Sequence, residues 1–331
     1  MTSLLRRYPL ASFFVLTYAA TWMLWAPLVF AGVPAFVESR HIPSLAALPA
    51  VAIGVTGTAF LMTAVTQGRS GVLRLLQRLT CWRVAPQWYR TAQWYRTAQW
   101  YRTAQWYRTA QWYAAALLLV PLGQLSVTAA LVDPGALRTL TPAALAAYPA
   151  SYAAHFIFGP LFEESGWRGF ALPRMQHRFG PLRGTLFLGL LWAAWHFFLY
   201  LPSWAAEGAA VGIVDAGIFV TFTVAVSVVF TWLSNNTGAS LLLAILLHGS
   251  IDGTATYVQV LADRGVISND AATFSTGIGA LITAVVAAVV ISALTRGKLS
   301  YWRYKSGAER FDLAGTIAPA TGIQGCRNPG K

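Results

Sequence analysis

Residues Ala271–Leu294 read AATFSTGIGALITAVVAAVVISAL, a run without a single charged side chain. A helix of about 20 mostly apolar residues spans the hydrocarbon core of a bilayer, so this run predicts a transmembrane helix. Other stretches have comparable apolar character, and they are Tyr8–Ala31, Ser44–Thr66, Tyr113–Val132, a segment within Ala143–Pro173, Pro181–Leu201, Val211–Leu233 and Ala239–Leu261. The sequence therefore predicts an all-α fold, a polytopic membrane bundle of about eight transmembrane helices.

The composition of the whole chain supports a membrane environment. Hydrophobic residues make up 56% of the 331 residues and charged residues 11%, whereas an ordinary soluble domain carries about 25% charged residues. The formal net charge is +13, but the basic residues lie in short segments between apolar runs, which is typical of membrane orientation signals. The expected partner is therefore the lipid bilayer, and nucleic acid is not expected to bind.

The distribution of basic residues predicts the orientation in the membrane. With the N-terminus inside and the spans alternating, eighteen Arg and Lys residues fall in inner segments, and only Arg40, Arg138 and Arg264 fall in outer loops. Cytoplasmic segments are enriched in Arg and Lys. We therefore expect both termini in the cytoplasm and, since Ala, Arg and Trp are frequent, a bacterial cytoplasmic membrane.

Three regions differ in character along the chain. Residues 1–112 hold two spans, an amphipathic segment Arg69–Arg83 predicted to lie on the cytoplasmic surface, and a QWYRTA repeat that occurs four times between Gln87 and Ala110. The repeat has no amphipathic periodicity for a helix or a strand, so we interpret it as a tandem expansion. Residues 113–295 form the expected functional core, and residues 296–331 are expected to be a basic, disordered cytoplasmic tail.

Polar side chains inside a membrane are costly and mark functional sites. The first group here is Glu163-Glu164-Ser165-Gly166-Trp167-Arg168. On a helix Glu164 and Arg168 share a face and can pair, while Glu163 is turned about 100° away. The spacing predicts that one carboxylate is held by arginine and that the other stays free to react. The alternative is two ordinary interfacial charges.

Two histidines stand in the later spans. His196 follows Trp192 by four residues, and His248 precedes Asp252 by four, so each pair shares one helix face. Counted from the nearest inner boundary, Glu163, His196 and His248 lie at a similar depth of roughly 16–20 Å. We therefore expect the three to meet. Such a set can activate water and stabilise an oxyanion, or it can bind a divalent metal such as zinc through Glu163, His196 and His248.

The chain carries three motifs in order, Glu163-Glu164-x-x-x-Arg168, Trp192-x-x-x-His196 and His248-x-x-x-Asp252. In their order and spacing they resemble the motifs of the CAAX-protease and bacteriocin-processing family, which includes the type II CAAX prenyl endopeptidases. The resemblance implies an intramembrane endopeptidase in which Glu163 and His196 activate water, His248 and Asp252 stabilise the oxyanion, and Glu164 and Arg168 support the site. Family members are often called metalloproteases, yet a metal-free glutamate mechanism is also argued.

Asp252 departs from the pattern of some members, which have asparagine there. An ionised carboxylate cannot donate a hydrogen bond to an oxyanion, so Asp252 must be protonated, orient His248 or help to hold a metal. We expect the substrate to be a membrane-associated peptide or protein. The alternatives are a non-catalytic membrane immunity or scaffold protein that retains the protease fold, and a transport protein.

Overall fold

The computed structural model describes residues 2–31, 36–37, 42–43, 47–82, 98–135, 141–156, 159–206 and 208–308. Nearly all of these residues are helical, as predicted. The helices are α1 Thr2–Arg7, α2 Pro9–Phe30, α3 Leu48–Val51, α4 Thr58–Leu79, α5 Ala98–Leu131, α6 Pro142–Phe156, α7 Pro160–Glu164, α8 Leu172–Phe179, α9 Pro181–Ala206, α10 Ala209–Asn236, α11 Leu241–Asp263, α12 Asn269–Phe274, α13 Ala280–Leu294 and α14 Tyr301–Ala308. Short π-helical turns, Ala52–Gly57, Ser165–Ala171 and Ser275–Gly279, join neighbouring helices, and the two-residue strands Phe36–Val37 and Ile42–Pro43 pair with each other.

Seven helical stretches in the described part of the chain are long and apolar enough to cross a membrane. They are Pro9–Phe30, Leu48–Leu79, Thr109–Leu131, Pro181–Ala206, Ala209–Asn236, Leu241–Asp263 and Asn269–Leu294. These stretches confirm the polytopic helical bundle and match seven of the eight predicted spans. The expected span within Ala143–Pro173, which Gly159-Pro160 is predicted to interrupt as a broken helix, is not one continuous helix.

That fourth region is a crossing made of several short pieces. The start of α6 lies beside the end of α11, since Arg264 donates a hydrogen bond to the carbonyl oxygen of Ala143 at 3.2 Å. The end of α8 lies beside the end of α10, since the side chains of Gln176 and Asn235 bond to each other at 2.8 and 3.1 Å. Because α10 ends where α11 begins, α6, α7 and α8 together pass from one end of the bundle to the other. The predicted eighth crossing is therefore present as a broken helix.

The first and last described helices lie at the same end of the bundle. Arg6 donates to the carbonyl oxygen of Val65, and the neighbouring Thr66 accepts from Arg174 of α8. On the other side of α8, Asn235 donates to the carbonyl oxygen of Leu299. We call this the arginine-rich end, and its basic residues are Arg6, Arg7, Arg69, Arg74, Arg78, Arg174, Arg178, Arg183, Arg296, Lys298 and Arg303.

The N-terminal region and the expected functional core share one hydrophobic core. Phe13 of α2 contacts Trp167 edge to face, with ring centroids 5.9 Å apart. Trp22 of α2 donates to the carbonyl oxygen of Trp195 in α9 at 2.9 Å, and Tyr18 donates to that of Leu191. The expected division at residue 112 is thus not a boundary in packing, and it falls within α5.

Two sequence expectations need correction. The repeat has no helical periodicity, yet residues 98–110, which hold its later copies, continue α5 as a helix. A helix propagates cheaply once formed, so the third span extends backwards into the repeat, and residues 87–97 lie outside the described part.

The tail predicted to be disordered is ordered up to residue 308, because Leu299 and Tyr304 are buried and hold it against the bundle. Residues 309–331 lie outside the described part.

The predicted amphipathic segment begins at a break in α4. Gly68 has φ +64°, a left-handed conformation that suits glycine. Beyond it Leu73 and Leu76 are exposed, at 47% and 44%, as an interfacial helix requires. Helical spacing places Arg78 with Arg74 on the polar side of the segment, opposite its leucines, but its side chain turns inward to hydrogen-bond backbone carbonyl groups. Arg83 lies outside the described residues.

Candidate active site

The chain breaks immediately before the two adjacent glutamates. Gly159 has φ +62°, which few residues other than glycine adopt, and Pro160 then opens α7 at a position where its missing N–H costs nothing. After one turn the backbone changes to the π-helical turn Ser165–Ala171. Isolated π-turns are common at functional sites. The break and the turn together present Glu163 and Glu164 on separate sides of the same short segment.

Glu163 is held by two tryptophans. Its Oε2 atom accepts hydrogen bonds from the indole N–H groups of Trp167 at 3.1 Å and Trp192 at 2.9 Å. The side chain is 5% exposed, and among the described residues none donates to its other oxygen, Oε1. One carboxylate oxygen is therefore fixed in place, and the other is available to a water molecule or a substrate.

Glu164 is the centre of a buried charged network. Its Oε1 atom accepts from Arg168 and from Nδ1 of His248, both at 2.8 Å. Glu164 is fully buried and Arg168 is 2% exposed. The guanidinium of Arg168 also lies over the rings of Trp192 and Phe230, at 4.1 and 3.6 Å from their centroids. A buried charge needs such partners to be tolerated, so this network fixes the position of His248.

His196 lies in α9 one turn beyond Trp192. Its Nδ1 atom is 2.9 Å from the carbonyl oxygen of Trp192. Since a carbonyl group can only accept, Nδ1 carries the proton, and in the neutral imidazole Nε2 is then the basic nitrogen. The rings of Trp195 and Phe219 pack edge to face against the imidazole, with centroids 4.6 and 5.4 Å away. The imidazole is thereby fixed in one orientation.

His248 and Asp252 occupy one face of α11. Nε2 of His248 is 3.8 Å from Oδ2 of Asp252, which is too long for a hydrogen bond. Asp252 is 31% exposed, whereas His248 is 7% exposed. Glu164, rather than Asp252, is therefore the residue that orients His248. The gap between Nε2 and Asp252 lies on the accessible side of the site.

Trp192 is the common neighbour of the three residues that the sequence predicts to meet. Its indole donates to Glu163, its ring centroid is 5.3 Å from that of His248, and its carbonyl oxygen accepts from His196. The expected Glu164–Arg168 pair is also present. Convergence of Glu163, His196 and His248 at one place agrees with the depth argument made from the sequence.

The sequence reasoning missed the two indole donors to Glu163. Trp167 follows Glu163 by four residues, the same spacing that predicts the Glu164–Arg168 pair, so a local signal for it existed. Trp192 comes from another helix, and no spacing rule identifies it as a donor. Contrary to the expectation that Glu163 is unpaired, its carboxylate is anchored at one oxygen.

The arrangement does not form a ready metal centre. In the described part of the chain, no group of three or more His, Cys, Asp and Glu side chains is placed to hold a metal ion. The atoms of Glu163, His196 and His248 that keep no hydrogen bond among the described residues are Oε1 of Glu163 and Nε2 of each histidine, and they do not gather into such a group.

Comparisons with known proteins agree with the motifs. Residues 145–254, which contain all six predicted site residues, match the family described as type II CAAX prenyl endopeptidase Rce1-like. Over 108 residues the chain is 28% identical to a protein named CAAX prenyl protease 2 from Methanococcus maripaludis, and the match covers 32% of this chain and 40% of that protein. The predicted resemblance to the CAAX-protease family is confirmed for this segment.

Proposed function

We propose that this chain, whose residues 145–254 match the Rce1-like endopeptidases, is an intramembrane endopeptidase. It hydrolyses a peptide bond of a membrane-associated peptide or protein. The observation that carries this proposal is the Glu163 carboxylate, anchored through Oε2 by two indole groups and without a described donor at Oε1, with the rings of His196 and His248 packed near Trp192. A positioned base next to fixed hydrogen-bond donors is what hydrolysis in a shielded site needs.

The first step is activation of water. Oε1 of Glu163 removes a proton from a water molecule, and Nε2 of His196 accepts that molecule's second hydrogen bond. The water oxygen then attacks the carbonyl carbon of the scissile bond, and the carbonyl oxygen becomes an oxyanion. Because the acceptor nitrogen of His196 is set by the bond from Nδ1 to Trp192, the imidazole does not need to change tautomer for this role.

The second step uses the face of α11. When both nitrogens of His248 are protonated, Nδ1–H stays bonded to Glu164 and Nε2–H is free to donate to the oxyanion. We assign Asp252 to the rim of the oxyanion-binding site, where its protonated form also donates a hydrogen bond. Collapse of the intermediate breaks the C–N bond, and the proton held by Glu163 passes to the leaving amine.

The substrate class follows from the accessible parts of the site. Its more exposed residues, His196 and Asp252, lie on α9 and α11 among apolar and aromatic side chains, which suits an extended peptide at the membrane. The matched relative carries the words CAAX prenyl in its name, so a prenylated C-terminal peptide is one substrate to test beside an unmodified one. We place the arginine-rich end in the cytoplasm of the source cell.

The test is to identify the peptide termini present in membranes that contain either the wild-type chain or Glu163→Gln at equal abundance. We expect a defined set of new termini with the wild-type chain and none of them with the variant. Identical termini in both samples would reject the endopeptidase and favour the non-catalytic membrane partner.

A further inference from the structure

We propose that Arg78, Arg174 and Tyr304 form a binding site for the phosphate of an anionic phospholipid at the arginine-rich end of the bundle. The three residues come from α4, α8 and α14. None of them belongs to the proposed catalytic site, and the inference does not depend on the proposed protease activity.

Arg78 is held in place by backbone groups rather than by an acid. Its Nε, Nη1 and Nη2 atoms donate, each at 2.9 Å, to the carbonyl oxygens of Ala239, Gly169 and Arg168. A guanidinium has five N–H groups, so two remain after these bonds. The positive charge is thus fixed in position but not neutralised.

Arg174 is likewise held in place by uncharged groups rather than by an acid. Nη1 donates to the carbonyl oxygen of Phe170 at 2.9 Å, Nη2 donates to the hydroxyl of Thr66 at 3.3 Å, and the guanidinium lies 3.7 Å from the Phe170 ring centroid. An arginine guanidinium is not deprotonated in proteins, so the group is charged near pH 7. Further N–H donors of this side chain remain available.

Tyr304 lies on α14, whose Arg303 donates to Asn236 at the end of α10, and the neighbouring Asn235 bonds to Gln176 of α8. The Tyr304 side chain is 7% exposed, and burial raises the pKa of the hydroxyl. The phenol is therefore neutral near pH 7 and can donate a hydrogen bond, but it cannot serve as a counter-ion. Two fixed cations and one neutral donor are a suitable set for an anionic oxygen group.

No carboxylate balances these cations in the described part of the chain. The ion pairs found there all involve Glu164 or Asp252. The other described acidic residues lie at the opposite end, beside the end of α5, the start of α10, the end of α11 and the start of α12, and they are Asp133, Asp215, Asp263 and Asp270. Partly buried cations without an acidic partner among the described residues favour an anion at this place.

The position in the membrane identifies a lipid as the source of that anion. Arg78 stands next to Leu79, the last residue of a membrane-crossing stretch, which is the level of lipid headgroups. On the same part of α4, Leu73 and Leu76 are exposed and can contact acyl chains. A lipid whose phosphodiester binds Arg78 and Arg174 and whose acyl chains lie along α4 would contact both the charged and the exposed apolar side chains.

The site is coupled to the predicted catalytic segment through Arg78. The carbonyl groups that Arg78 binds belong to Arg168 and Gly169, within the π-helical turn that carries the partner of Glu164. Neutralising Arg78 and Arg174 with a lipid phosphate removes their mutual repulsion. We therefore expect an anionic lipid to stabilise this turn.

The test is native mass spectrometry of the purified chain with phosphatidylglycerol or phosphatidylcholine. We expect one tightly retained phosphatidylglycerol in the wild-type protein and about a tenfold weaker retention in Arg174→Gln, since that variant loses charge-assisted hydrogen bonds to the phosphate. The matched control is Arg178→Gln, one turn away and exposed, which should retain the lipid as the wild type does.

A second variant separates lipid binding from any effect of Arg174→Gln on folding. Tyr304→Phe removes only a hydroxyl group and should weaken retention of phosphatidylglycerol several-fold while the melting temperature without lipid stays unchanged. Equal retention in Tyr304→Phe, Arg178→Gln and the wild type would overturn the site, as would equal retention of phosphatidylcholine. Displacement of the lipid by millimolar inorganic phosphate would assign the site to free phosphate and overturn the lipid assignment. Because the readout is lipid retention, it is independent of proteolysis.

Discussion

The indole N–H of Trp192 donates a hydrogen bond of 2.9 Å to Oε2 of Glu163, which joins α9 to α7. Four residues later His196 donates to the carbonyl oxygen of the same tryptophan. Trp192 therefore positions both groups that we propose to activate water. Loss of the Trp192 indole N–H should therefore lower kcat, and loss of packing alone does not explain such a decrease.

Trp192→Phe is expected to lower kcat about tenfold, because Oε2 of Glu163 loses a hydrogen bond to a charged group. Phenylalanine is smaller than the buried indole and leaves a cavity, so kcat is compared at equal folded protein. The matched control is Trp112→Phe. The Trp112 ring packs on Trp232 with ring centroids 5.1 Å apart, away from the residues assigned to catalysis, so that variant should keep wild-type kcat. Equal rates for the two variants would show that the indole bond has no catalytic role.

The buried pair of Glu164 and Arg168 should matter for stability. Arg168→Met leaves a buried carboxylate with only His248 as partner, and the loss of one member of a buried ion pair costs about 3 kcal/mol or more. We expect a clear decrease in the free energy of unfolding, measured by denaturation in mixed micelles. Arg178→Met, on the exposed side of α8, is the control. If the two variants unfolded at the same denaturant fraction, the network would not be stabilising.

Removal of metal ions should leave activity intact. In the described part of the chain the candidate ligands do not gather into a metal site, and the proposed mechanism uses only protein groups. We expect product formation to continue after treatment with a strong chelator, and elemental analysis of the purified protein to give far less than one zinc per chain. Loss of activity on chelation with recovery on adding zinc would refute the metal-free mechanism.

Deletion of Gln87–Ala110, the four copies of the repeat, should be tolerated. The contacts that anchor the start of the third span come from later residues. Trp112 packs on Trp232 with ring centroids 5.1 Å apart, and Tyr113 donates to the carbonyl oxygen of Trp82 at 2.8 Å. The shortened chain should reach the membrane in normal amounts and cleave at the normal rate. Complete loss of either property would show that the repeat is a functional module.

Much of the fold could be predicted because the signals are local. Apolar runs of sufficient length indicate the spans directly, and the i,i+4 rule identifies the Glu164–Arg168 pair within one segment. Gly159-Pro160 likewise marks the break in the fourth crossing. Each of these features depends on residues close to one another in sequence.

The rest depends on how helices rotate against one another, which no local spacing specifies. The bond from His248 to Glu164 joins residues 84 positions apart, whereas the sequence offers Asp252, four residues away, as one residue that could orient that histidine. The inward turn of Arg78 toward Gly169 also depends on tertiary packing, since helical spacing alone places it with Arg74 on the polar side of the segment. The order of the tail has the same origin, in the burial of Leu299 and Tyr304 against the bundle.

The central claim is that Glu163 is the base for peptide hydrolysis. The most direct measurement is the rate at which wild-type protein and Glu163→Gln release product in membranes, compared at equal folded protein. Glutamine can still accept the two indole hydrogen bonds but cannot take a proton from water, so we predict a decrease of about a hundredfold or more with an unchanged melting temperature. A Glu163→Gln protein that released product at the wild-type rate would contradict the account.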